Sequence, residues 1–152
     1  KYGKWKHVMH KGNESSWPLS APGVWLHPKN NVMRININTF KQIKEYVDID
    51  NIPIKKWFCV SICVRQKKLD IYINSNLRKS HNLKGLPKQN YGNLYINSFQ
   101  GFSGYMSNIR YFNNYISYSD IDKHLMKGPS MMPCVDSSDM PPYLSPEWWT
   151  NN

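Results

Sequence analysis

WFCVSICVRQKKLDIYINSNLRKSH, residues 57–81, decides the fold class, together with GNLYINSFQGFSGYMSNIRYFNNYISYSDIDKHLMKGP, residues 92–129. The first segment holds two alternating apolar runs joined by a short polar hinge, the pattern of a strand meander. Over residues 57–65 both side-chain rows are apolar: Phe58, Val60, Ile62 and Val64 form one, Trp57, Cys59, Ser61 and Cys63 the other. A strand covered on both faces, and so a central one, is predicted. Lys67 and Lys68 turn the chain, and Leu69, Ile71 and Ile73 then alternate with Asp70, Tyr72 and Asn74. A tight turn follows at Asn74-Ser75-Asn76. The favoured two-residue hairpin turn needs positive φ at both central positions, so Ser75 predicts either a left-handed Asn76 or a longer loop. The second segment predicts a strand over 92–97 and a corner where Gly101 and Gly104 flank Phe102. A further strand over 105–112 and a helix capped by Ser117 and Asp120 and stopped by Gly128-Pro129 complete it. Ile121 and Leu125 give that helix one apolar edge, which suits a lid on a sheet.

Upstream, residues 4–11 alternate, placing Trp5, His7 and Met9 on one face and Lys6, Val8 and His10 on the other. Residues 13–22 are turn-rich and read as a surface loop. A short strand over 23–27 and a turn at 28–31 lead into 32–38, where Val32, Arg34, Asn36 and Asn38 form a wet row opposite Met33, Ile35 and Ile37. Tyr46, Val47 and Ile49 predict another strand before Pro53. The 152 residues suffice for one domain with a core of its own. The predicted class is all-β: two antiparallel sheets face to face and one short helix, over residues 1–130. Residues 131–152 carry several prolines, which deny them regular structure. They also carry Tyr143, Leu144, Trp148 and Trp149, predicted to anchor an extended arm. The chain starts at Lys1 on residues that read as mid-strand, so one or two further strands are expected before it.

The order of a Trp-led strand, LDIYINS, GFSGYMSNIRYF and YSDI resembles the laminin-G-like, concanavalin A-like jelly-roll sandwich. More narrowly, HKG, PGVWLHP, the YVDI to KWF run, GLPKQNYG and PPYLSPEWWTN resemble the laminin-G-like domains of virion proteins of large double-stranded DNA viruses. The resemblance implies a non-enzymatic, capsid-associated component of the virion that contacts other virion proteins or a host glycan. A free carbohydrate-binding lectin module is the alternative. Calcium is the commonest ion of such folds and takes six to eight oxygens. Asp48, Asp50 and Asp70, with Asn74 or Asn97, are the candidate ligands, although no dense acidic loop is present; otherwise no cofactor is expected.

Some folds of this type are glycoside hydrolases, which need two carboxylates on one face about 5–5.5 Å apart for retention of configuration. The one candidate group is Glu45, Asp48 and Asp50, and in a strand Glu45 points away from the other two. Phosphate-binding, nucleophile-elbow and dinucleotide motifs are lacking. His7 and His10 are three apart in a predicted strand, so they should face opposite sides, and a zinc site is not expected. Cys59 and Cys63 lie about 13 Å apart along one strand face, too far to bridge, and Cys134 has no evident partner. No apolar run reaches membrane-spanning length.

Two binding surfaces remain. Trp17, Trp25, Tyr91, Tyr95, Phe99, Phe102 and Tyr105 fall in or beside loops, where rings can stack on sugars. Lys67, Lys68 and Lys84, with Lys55, Lys56, Arg78, Lys79 and Lys88, form a basic set suited to an anionic glycan. The net charge of +10 comes from 16 Lys and only 4 Arg. Lys is a hydrated point charge without the planar fork of Arg, so diffuse attraction of anions is expected. Charge alone favours nucleic acid, and no specific nucleic-acid motif accompanies it.

Overall fold

The computed structural model describes residues 4–130 and residue 132. Eight strands and one helix follow in chain order: β1 (Lys6–Gly12), β2 (Ser20–Leu26), β3 (Val32–Ile37), β4 (Glu45–Asp50), β5 (Val60–Arg65), β6 (Lys68–Ile73), β7 (Asn76–Asn82), β8 (Asn93–Ile96) and α1 (Tyr118–Met126). They form an all-β sandwich. One sheet has the order β4-β3-β2-β1-β8 and the other β5-β6-β7, every pairing antiparallel. The inner faces supply one core: Val24, Met33, Ile35, Ile37, Val47 and Ile49 from the first sheet, and Leu69, Ile71 and Ile73 from the second. Val60, Ile62 and Val64 of β5 pack against it from the side. The period-two alternation of β3, β4 and β6 is what aims these residues inward.

Several sequence expectations change. β5 begins at Val60 and is the edge of its sheet, with β6 in the middle. Its second apolar row is only partly covered: Cys63 is buried, whereas Trp57, before the strand, is exposed. Apolarity on both faces therefore does not establish a central position. Residues 105–112 form no strand. The β6–β7 turn takes neither form expected of it. Ile73 pairs with Asn76, and Asn74 and Ser75 sit at φ 49° and 62°. Ser75 itself adopts the left-handed conformation, because the twist of the two strands demands it.

The helix follows its sequence signals. Ser117 and Asp120 make a reciprocal capping box, Gly128 takes φ 66° just past the end, and Ile121 is buried. At the sandwich edge, Arg78 and Lys79 of β7 donate to the Asp50 and Asp48 carbonyls of β4 at 3.1 Å each. These side chains occupy acceptors that an exposed edge strand would otherwise offer to another chain. Buried Glu45 ties β4 to the segment after β7. Its carboxylate accepts the Lys84 backbone N–H at 3.1 Å and lies 3.0 Å from His81 Nε2. Apart from Met132, the arm over 131–152 lies outside the described residues, with its anchors Tyr143, Leu144, Trp148 and Trp149 and with Cys134.

Candidate functional site on the outer face of the five-stranded sheet

Strand register assembles two rows of side chains on the face turned away from the core. One runs His7, Trp25, Arg34, Asp48 across β1, β2, β3 and β4. The other runs Tyr95, His10, Gly23, Asn36, Tyr46 across all five strands. His7 and His10 share this face, contrary to simple alternation. A bulge between His7 and Met9 shifts the β1 register, and one extra residue reverses the facing of everything beyond it.

The two histidines are fully buried beneath Phe99, Trp25 and Tyr95, whose ring centroids lie 4.6–5.8 Å from theirs. Their hydrogen bonds form a chain with fixed ends. The Ser98 backbone N–H donates to His7 Nδ1 at 2.9 Å. His7 Nε2 and His10 Nδ1 are 2.8 Å apart, and His10 Nε2 is 2.8 Å from the Asn13 carbonyl. An N–H at one end and a C=O at the other dictate the tautomers: each ring carries its proton on Nε2. Burial, with the neighbouring His10 adding to it, lowers the His7 pKa to about 4. The pair is an interior polar device, and among the described residues no third His, Cys, Asp or Glu joins it in a metal-binding group.

Beside it lies an open groove of about 280 Å³ lined by Trp5, Ser16, Trp25, Arg34, Asn36, Lys44 and Tyr46. Arg34 forms a bidentate ion pair with Asp48, both N···O distances 2.7 Å. Its guanidinium also lies 4.3 Å from the Trp5 ring centroid and 3.9 Å from that of Tyr46. Such pairs are directional as well as strong, so Arg34 holds both rings at the groove wall. Gly23, opposite Asn36 in the register, keeps the floor open. A Cβ there would come within 2.8 Å of Ser20 Oγ and 3.3 Å of Trp25 Nε1. Both atoms are buried without a hydrogen-bond partner, a condition that costs about 1–3 kcal/mol per group. At the far end, Lys44 Nζ lies 3.4 Å from Ser16 Oγ and 5.5 Å from the Trp17 ring centroid. The groove thus offers flat rings, an amide and an ammonium group.

Of the aromatic residues singled out from sequence, Trp25, Trp17 and Phe99 gather on or beside this face. Phe102 is half-buried in the corner after β8, its N–H 3.2 Å from the His7 carbonyl. Tyr91 is exposed and bonds Gln89, and neither it nor Phe102 lines the groove. Lys67, Lys68 and Lys84 meet elsewhere, at one end of the three-stranded sheet, where the Leu83 N–H bonds the Lys67 carbonyl at 2.7 Å. The three carboxylates considered for calcium are dispersed. Asp48 is held by Arg34, Asp50 is exposed on the β4 edge, and Asp70 is on the other sheet, 3.8 Å from Lys68. Trp5, Arg34, Asn36, Lys44 and Tyr46 were not singled out from sequence as a site. Arg34 and Asn36 stood in a wet row, which was the available signal; their alignment with Trp25 and Tyr46 is a matter of register.

No family model matches the chain, and no curated protein matches it. Among solved structures it is similar to an S-layer domain-containing protein from Clostridium thermocellum, at 13% identity and a TM-score of 0.39. The match covers 82% of this chain and 64% of that one, so this chain spans less than two thirds of the other.

Proposed function

We propose that this domain is a non-enzymatic surface component of a virus particle that binds a glycan through the outer face of its five-stranded sheet. The observation that carries the glycan part is the groove itself, in which Trp5, Trp25 and Tyr46 stand around the Asn36 amide on a solvent-facing sheet. Sugar rings present apolar faces and hydroxyl edges, and rings beside fixed polar groups suit both. The setting in a virion rests on the likeness of the sequence motifs to laminin-G-like virion domains. The test is binding to an oligosaccharide array by the wild-type protein and by Tyr46→Ala. Tyr46 is about half exposed, so its loss should leave the fold intact while weakening every hit at least tenfold. Hits indifferent to Tyr46→Ala would place the ligand elsewhere, and an empty array would remove the glycan reading.

A second contact, with other virion proteins, is favoured by the exposed rings of Tyr105, Tyr111, Phe112, Tyr115 and Tyr118 along one segment of the chain. Exposed apolar clusters on a domain surface mark protein contacts. Cross-linking from Tyr111 in assembled particles should capture a neighbouring protein, and capture of none would dismiss this face.

A further inference from the structure

The groove holds two cations in different states. Arg34 is neutralised by Asp48 and covered by Trp5 and Tyr46. Lys44 pairs with no carboxylate among the described residues; its polar neighbour is the Ser16 hydroxyl. Its backbone sits at φ 53°, a conformation uncommon outside Gly, Asn and Asp. Glu45, next in the chain, turns to the opposite face and spends its carboxylate on Lys84 and His81. Among the described residues the Lys44 ammonium is therefore left at the groove mouth without a counter-ion. Partial burial lowers its pKa, which is the response of a charge drawn out of water without compensation.

We infer that the groove is built for an anionic sugar, with a sugar carboxylate seated at Lys44 and the ring lying among Trp25, Asn36 and Tyr46. This rests on the glycan reading of the same groove and deepens it. The carboxylate would supply the missing counter-ion, and Ser16, already beside Lys44, can donate its hydroxyl proton to it. A volume of about 280 Å³ lies just below the range of about 300–1,000 Å³ that encloses drug-sized ligands, so one sugar unit occupies it. Anion recognition is thereby assigned to a single lysine among aromatic rings, away from the lysine-rich end of the three-stranded sheet.

The test uses matched oligosaccharides in three forms: uronic or sialic acid, the carboxyl-reduced neutral counterpart, and the sulfated counterpart. Wild type, Lys44→Met and Lys44→Arg are compared after thermal melts establish equal folding. The expected result is binding of the carboxylated form, weakened at least tenfold by carboxyl reduction and by Lys44→Met, and kept within threefold by Lys44→Arg. Raising the salt concentration should weaken it as well, because the contact is open to solvent. Equal binding of the carboxylated and neutral forms, or indifference to Lys44→Met, would overturn the inference while leaving a glycan site standing. Preference for the sulfated form would overturn the carboxylate assignment. Failure of all three forms to bind would overturn the glycan reading and this inference together.

Discussion

Acidification should destabilise this protein through His7. In the folded chain the four ring nitrogens of His7 and His10 meet one backbone donor, one backbone acceptor and each other. Two protons satisfy all three contacts, and a third turns one of them into a donor facing a donor. The folded His7 pKa of about 4 lies below its ordinary 6.5, so between those values the unfolded chain binds the extra proton and the folded chain does not. Stability is therefore full above the ordinary value and is lost as pH falls toward the folded one. One pKa unit corresponds to about 1.4 kcal/mol. The loss is then about 2 kcal/mol between about pH 7 and 5, reaching about 3 kcal/mol near pH 4. For a domain of this size each kcal/mol moves Tm by about 2–4 °C. A fall of about 4–8 °C should appear in thermal melts between about pH 7 and 5. His7→Gln is the control: whatever its absolute stability, its pH slope should be shallower by about 2 kcal/mol. A wild-type Tm that stays flat across this interval, or a His7→Gln slope equal to wild type, would refute the proton-counting argument.

Ser75→Gly should raise stability by about 1 kcal/mol, since Ser75 sits at φ 62° and its buried hydroxyl has no partner; a lower Tm would show that the turn is unstrained. Ile71→Ala removes a side chain with no exposure at the centre of the core and should cost about 2–5 kcal/mol in urea denaturation, whereas a loss under 1 kcal/mol would mean the two sheets are not packed there. Asp48→Asn leaves Arg34 without its bidentate partner. It should cost about 1–2 kcal/mol in the same denaturation assay and loosen the Trp5 and Tyr46 rings, which nuclear magnetic resonance of their side chains would report.

The all-β class was legible because alternation is local. Leu69, Ile71 and Ile73, or Met33, Ile35 and Ile37, declare a half-buried strand without reference to anything else in the chain. The capping box at Ser117 and Asp120 is equally local, and so was read correctly. What needed tertiary structure was whatever depends on a partner. Both rows of β5 are apolar whether the strand is central or, as here, an edge. Residues 105–112 form no strand, because pairing needs a partner strand as well as a suitable sequence. One bulge in β1 brings His7 and His10 to hydrogen-bonding distance, and nothing in KHVMHKG marks it. The groove is the clearest instance. Trp5, Trp25, Asn36 and Lys44 come from four segments, and only the pairing of neighbouring strands, with the chain just before β1 and β4, sets them side by side. Sequence carries the period of a strand, which is a property of its own backbone. Register and sheet order belong to pairs of strands, and they are decided by the packing energy of the whole core.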